Sequence, residues 1–169
     1  MLTFIDYSSR RGALVPLLPK MHKMFTENAM NDTLSGIAPP ENIIIWRQKM
    51  SSRLVDISRR FLVAYDTDVL VGILIYRYDS TDIYIEELQI SWLYRDNPNV
   101  LEGLIKKLEY DSGTKDATFF ASERIKIEAD KEKLAAVGIS EARENGWEKL
   151  GSLPVTIAAL KIRYNRGSH

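Results

Sequence analysis

The sequence contains no cysteine. That absence removes disulfides, thiolate nucleophiles and cysteine-based zinc sites together, and it favours a cytoplasmic protein. Histidine is scarce. Of the two, His169 closes Arg166-Gly-Ser-His169, which reads as an expression-tag remnant (166–169) outside the folded domain. With His22 alone, a Ser-His-Asp triad lacks a base and a multi-histidine metal site lacks ligands, so no metal is expected. Catalysis must draw on carboxylates, tyrosine, lysine, backbone groups or water. Net charge is absent too: Lys+Arg and Asp+Glu stand at 23 each. There is no global basic field for a nucleic acid or an anionic membrane. No apolar run approaches the ~20 residues of a membrane span. The start, Met1-Leu-Thr-Phe-Ile-Asp6, lacks the basic-then-apolar pattern of a signal peptide.

What is present is a globular mixture, 45% hydrophobic and 27% charged over 169 residues, enough for one well-buried core in a single domain over residues 1–165. Leu2–Tyr7 alternates loosely and reads as a short strand. Between Gly12 and Asn28, residues Leu14, Leu17, Leu18, Met21, Met24 and Phe25 fall on one helical stripe, with Pro16 and Pro19 setting its start or a kink. Ser35–Pro40 is a loop. A second helix is predicted over Glu41–Ser58, with Ile43, Trp46, Met50, Leu54 and Ile57 on its buried face.

The period changes after Arg60. Phe61–Tyr65, Val69–Tyr78 and Ile83–Trp92 read as three strands joined by the turns Asp66-Thr-Asp68 and Asp79-Ser-Thr-Asp82, an antiparallel meander. A helix follows, with Asn97 as N-cap, Pro98 at its first position and Val100, Leu101, Leu104, Ile105 and Leu108 buried. Ala117–Ser122 reads as a strand, Glu128–Val137 as a helix ended by Gly138, and Trp147–Leu150 and Val155–Tyr164 as closing strands. The fold class is α/β, an α+β mixed sheet with helices on both faces.

Within this order, Glu86-Glu-Leu-Gln-Ile-Ser-Trp-Leu-Tyr-Arg95 carries Leu88, Ile90, Tyr94 and Arg95 at the positions of an acidic-Leu-x-Val-x-Pro-x-Tyr-Arg pattern, and Leu134-Ala-Ala-Val-Gly-Ile139 resembles a Tyr-x-x-x-Gly-Phe helix ending. On these residues the chain resembles the GNAT superfamily of acyl-CoA N-acyltransferases across nearly its whole length. The resemblance implies a GNAT-like fold and acetyl-CoA as co-substrate. It implies that backbone around Leu88, Gln89 and Ile90 pairs with the pantetheine arm, where one N–H can also polarise the thioester carbonyl. It implies that the pyrophosphate lies at a helix N-terminus formed by Asn99, Val100 and Leu101, with charge from Arg95 and from Lys106 and Lys107. Asp96, Pro98 and Val100 stand where the family's loop has glycines, and Leu134 where it has a general-acid tyrosine. The acceptor, a small molecule or a peptide amine, would lie against Met21–Ser58. Family members often form homodimers.

Glu86 and Glu87 are the candidate general bases. Adjacent strand residues point to opposite faces, so without a bulge only one of them faces a cleft. The alternative is one solvated carboxylate and one paired with a lysine. Arg95 serves equally as a phosphate contact or a surface ion pair. Lys106 and Lys107 are ordinary for an amphipathic helix, and His22 for a surface groove. Arg53, Arg59 and Arg60 either attract an anionic acceptor or, the favoured reading, complement a helix dipole. Tyr76, Tyr78, Tyr84 and Tyr94 either include a proton donor or pack the strands. At the level of function, the rival to acetyl transfer is a non-catalytic binding or interaction module. Three free N–H groups at the helix start favour the enzyme, and a side chain filling that space favours the module. Nucleic-acid binding through a local basic face has the least support.

Overall fold

Strand β2 (Arg59–Asp66) runs Phe61-Leu-Val-Ala64 without a polar residue, and all four side chains are fully buried. Alternate strand residues point to opposite faces, so a strand apolar at every position needs cover on both. Leu62 and Ala64 join a core under helix α3 (Pro98–Ser112). Phe61 and Val63 join a second core under helices α1 (Leu18–Asn31) and α2 (Ile43–Leu54). The computed structural model describes residues 1–31, 39–79, 82–94, 97–112, 118–122, 143–144 and 147–151.

The described residues form one seven-stranded sheet in the order β1-β2-β3-β4-β5-β7-β6. Its other strands are β1 (Leu2–Asp6), β3 (Val69–Asp79), β4 (Asp82–Ile90), β5 (Thr118–Ser122), β6 (Arg143–Glu144) and β7 (Trp147–Gly151). Strands β1 to β4 are antiparallel neighbours, as the short turns between β2, β3 and β4 require. Strands β4 and β5 are parallel, and α3 is the crossover that joins them. The expected mixed sheet with helices on both faces is therefore found.

The start of α3 follows its local signals. Asn97 Oδ1 accepts from the Asn99 N–H at 3.0 Å, and Pro98 holds the first helical position. Val100, Leu101, Leu104, Ile105 and Leu108 are all buried. Gly103 lets the helix lie close to β1, because a Cβ there would stand 1.9 Å from the Phe4 ring.

Several boundaries differ from the sequence reading. The first helical stripe begins as a 3₁₀ segment, Arg11–Leu17 with Pro16 inside it, and continues in α1 from Leu18, close to the start that Pro16 marks. Helix α2 stops at Leu54, so Ile57 lies beyond it and is 87% exposed rather than on the buried face. The stop has a cause in Arg11. Its guanidinium donates to the carbonyls of Leu54, Asp56, Ile57 and Arg59, and its Nε donates to Ser8. All five donors of the side chain are used, four of them on the turn between α2 and β2. Strand β4 ends at Ile90, and Trp92–Tyr94 is a 3₁₀ turn. The short strand β6 was not anticipated. The expected helix over Glu128–Val137, the strand over Val155–Tyr164, Leu134, Arg95, Asp96 and residues 166–169 lie outside the described residues.

Candidate functional site

Among the described residues, β4 pairs with its parallel neighbour over its first half. Its register with β5 runs from Asp82 opposite Thr118 to Ile85 opposite Ala121, whereas β4 itself continues to Ile90. On its other edge β4 stays paired with β3 to the end, but the register shifts: Ile75 lies opposite Glu87 and Tyr76 opposite Ile85. Glu86 is the extra residue of a β-bulge, next after Ile85, the last residue of β4 with a described partner on β5.

The bulge changes which side chains share a face. Before it, Ile83 and Ile85 point to the α3 core; after it, Leu88 and Ile90 do. Glu87 sits opposite Ile75, which belongs to the α1–α2 core. Glu86 meets Arg59 and Arg77, and both lie on that same side by the alternation of β2 and β3. Both glutamates therefore face the α1–α2 side, which an unbulged strand forbids.

Their surroundings differ. Glu86 is 4% exposed. Its Oε2 accepts from Arg59 Nε at 2.7 Å, and Arg77 Nε lies 3.1 Å from Oε1 as an ion-pair contact without hydrogen-bond alignment. Arg59 also donates to Asp56 Oδ2 at 2.9 Å. Asp56 is held below the ordinary carboxylate range by hydrogen bonds from Ser58, with smaller help from Arg59 and Arg11. Arg77 further lies over the Tyr84 ring, 5.1 Å from its centre.

Glu87 is more open, at 17% exposed, and its Oε2 is 3.8 Å from Arg53 Nη1. Its Oε1 accepts from Gln89 Nε2 at 2.8 Å. Gln89 Oε1 in turn accepts from Asn28 Nδ2 at 3.2 Å. Asn28, buried on α1, also donates to the Ile90 carbonyl at 3.0 Å and accepts from the Trp92 N–H at 2.8 Å. One carboxamide thus fixes the end of β4 and, through Gln89, the orientation of Glu87.

The remaining candidates occupy the same end of the sheet. Ser91 N–H bonds the Val71 carbonyl on β3, so by the alternation of strand backbone Leu88 and Ile90 turn their peptide groups away from β3 and Gln89 turns its own towards it. At the start of α3, Pro98 has no N–H and the Asn97 side chain takes that of Asn99. The amides of Val100 and Leu101 complete the first turn. The loop before α3 is tied to the β2–β3 turn, where Tyr94 O–H donates to Asp66 Oδ2 at 2.7 Å. That bond, ahead of the Met1 ammonium, holds Asp66 below the ordinary carboxylate range and pushes the Tyr94 hydroxyl up.

Of the residues named from sequence, Glu86 and Arg59 meet in one network, and Glu87 and Gln89 in a neighbouring one that Arg53 joins from the last turn of α2. Tyr76 is buried in the α3 core. Lys106 pairs with Glu102 along α3 at 3.2 Å, and Lys107 lies over Tyr110. His22 packs edge-on against Trp46 and bonds the Glu41 carbonyl. Sequence reasoning missed Asn28, Arg11 and Arg77, whose partners are remote in the chain. Among the described residues no group of His, Asp or Glu is disposed to hold a metal ion, and no helix is long and apolar enough to cross a membrane.

No protein-family model and no curated protein matches this sequence. Solved structures do match in shape. An acetyltransferase from Thermus thermophilus superimposes with a TM-score of 0.60 at 16% identity, over 88% of this chain and 96% of that one. A spermidine N-acetyltransferase chimera built from Vibrio cholerae SpeG and hSSAT gives 0.57 at 15% identity, over 92% and 97%. The PaiA N-acetyltransferase of Thermoplasma acidophilum, in complex with coenzyme A, gives 0.55 at 12% identity, over 87% and 96%. The chain has the GNAT acetyltransferase fold.

Proposed function

We propose that this chain is an N-acetyltransferase that moves an acetyl group from acetyl-CoA to a primary amine by direct attack. The observation that carries this reading is the bulge that turns both Glu86 and Glu87 onto one face, just past the last described pair of β4 with β5. Fold alone does not assign chemistry; the two carboxylates at the bulge support this reading.

The residues present fit acetyl-CoA, with a restriction. Leu88 and Ile90 turn their backbone groups to the edge of β4 away from β3, the edge a pantetheine arm would approach, and Asn28 already holds the Ile90 carbonyl. For the pyrophosphate, the amides of Val100 and Leu101 and the helix dipole replace a glycine loop. Arg95, immediately before this helix in sequence, would add charge. Bound acetyl-CoA supplies an activated acyl group. Glu87 is the base: it accepts the proton of the acceptor ammonium, directly or through water, and frees the amine lone pair. Glu86, enclosed by Arg59 and Arg77, positions rather than reacts; it fixes the bulge that aims Glu87.

The test is release of the CoA thiol from acetyl-CoA across a panel of primary amines, with Glu86→Gln and Glu87→Gln compared. Turnover that depends on an amine and falls far more with Glu87→Gln supports the assignment. Normal turnover in both variants rejects it. A second reading has its own observation: Asn97 and Pro98 close two of the donor positions at the start of α3, as a binding module without acyl transfer would allow. Amine binding without acetyl-CoA binding would favour that module.

A further inference from the structure

A carboxylate that serves as a base needs an oxygen free to take a proton, and the two oxygens of Glu87 are not equivalent. Oε1 accepts from Gln89 Nε2 at 2.8 Å. Oε2 faces α2, where Arg53 Nη1 stands 3.8 Å away. A carboxamide can present either its oxygen or its nitrogen, so a turned Gln89 would offer Oε1 an acceptor instead of a donor. What holds Gln89 in its donating orientation lies on another element.

That element is α1. Asn28 is buried, and two of its bonds go to backbone groups whose roles cannot be exchanged. The Trp92 N–H only donates, and it meets Asn28 Oδ1 at 2.8 Å. The Ile90 carbonyl only accepts, and it meets Asn28 Nδ2 at 3.0 Å. The backbone therefore settles which end of this carboxamide is oxygen. Nδ2 has two hydrogens. One serves Ile90, and the other reaches Gln89 Oε1 at 3.2 Å. Gln89, also buried, must then point its own nitrogen at Glu87. Polarity runs one way, from the backbone at the end of β4 through Asn28 and Gln89 to Glu87 Oε1.

We infer that Asn28 is the positioning residue that decides which oxygen of Glu87 takes the proton. The inference rests on the acetyltransferase reading for the role of Glu87, whereas the relay itself rests on hydrogen bonds alone. With Oε1 committed to Gln89, the proton of the acceptor ammonium goes to Oε2. An N–H bond breaks, its electron pair stays on nitrogen, and an O–H bond forms on the side of Glu87 that faces α2. The acceptor nitrogen is thereby held to that side. Asn28 touches no reacting atom. Its bonds to Trp92 and Ile90 alone would tie α1 to the end of β4; the bond to Gln89 is the one that reaches the carboxylate.

The experiment combines side-chain amide NMR of the full chain with turnover of acetyl-CoA and primary amines in Asn28→Ala, Gln89→Met and the double variant. Asn28→Ala should move the Gln89 side-chain amide signals to the positions of a free carboxamide. In either single variant kcat should fall about ten-fold while the KM for acetyl-CoA does not rise, and the double variant should fall no further, because both changes cut one relay. A purely structural role for Asn28 would instead loosen the end of β4, raise that KM and give effects that multiply. The inference is overturned by effects that multiply, by full kcat in Asn28→Ala, or by Gln89 signals that stay in place in that variant. Circular dichroism shows whether the variants fold. If Asn28→Ala does not, the unaltered chain decides: displaced Gln89 signals sustain the inference and free-carboxamide positions overturn it. If the unaltered chain turns over no amine, the acetyltransferase reading fails, and the Gln89 signals alone decide whether Asn28 orients the donor on Glu87.

Discussion

The two faces of the central sheet are packed alike over β2 and β3 and differ at β4. On the α3 side, Leu62, Leu74, Tyr76, Ile83, Ile85 and Leu88 meet Val100, Leu104 and Leu108 in a continuous apolar layer. On the α1–α2 side, Phe61, Val63, Ile73 and Ile75 meet Met21, Phe25, Trp46 and Met50, but the layer gives way at β4 to Glu86, Glu87 and Gln89 with their arginines. Burying ionised groups costs several kcal/mol unless each is paired, and every carboxylate of this edge is paired. One face is apolar throughout, the other holds the carboxylates to which the proposed chemistry is assigned, and the bulge at Glu86 sets that difference.

Substitutions on the two faces should have different signatures. Leu104→Ala, deep on the α3 face, is expected to cost about 3 kcal/mol of stability, read from the urea midpoint, with little change in turnover per folded molecule. Glu87→Gln should do the reverse: turnover falls about 100-fold, and the thermal midpoint barely moves. A large loss of stability in Glu87→Gln would mean that this edge is structural and would break the contrast. Glu86→Gln lies between, because Arg59 and Arg77 are partly exposed and screened; a loss of about 1–2 kcal/mol is expected, with a smaller rate effect than at Glu87. Asn97→Ala removes the cap of α3 and should cost about 1 kcal/mol, while freeing the Asn99 amide. If the helix start holds phosphate, acetyl-CoA affinity should not fall in that variant.

The smallest effect is acidic. Tyr94, and after it the Met1 ammonium, holds the Asp66 carboxyl below its ordinary value. The folded chain therefore binds that proton less readily than the unfolded chain. The resulting stabilisation is complete above the ordinary carboxylate value of about 3.9 and is lost as pH falls through the lower, folded value. Asp66→Asn should flatten this part of the stability-against-pH curve below about pH 4, measured by thermal unfolding. An unchanged curve would show that the Tyr94 contact does not hold the loop in solution.

Much of the fold was legible because its signals are local. The continuous apolar runs of β2 and β3, the turn at Asp66-Thr-Asp68 and the Asn97-Pro98 helix start are each specified by neighbouring residues. What escaped depends on partners far along the chain. The bulge at Glu86 is a property of pairing between β3 and β4, and β4 read alone gives the wrong faces for Glu87 and Leu88. Helix α2 ends where Arg11, from a segment before α1, takes its carbonyls, so the periodic reading ran on to Ile57. Arg53 and Arg59 read as dipole partners, yet their carboxylates lie on β4. Asn28 carries no motif; its role comes from meeting the end of β4.

The most direct test of the proposed acetyl-CoA chemistry at this bulge is isothermal titration calorimetry of acetyl-CoA into the full chain. A dissociation constant in the micromolar range is expected, carried by the Leu88–Ile90 edge and the start of α3. No heat of binding at millimolar acetyl-CoA would contradict the assignment and leave the domain as a GNAT fold without its co-substrate.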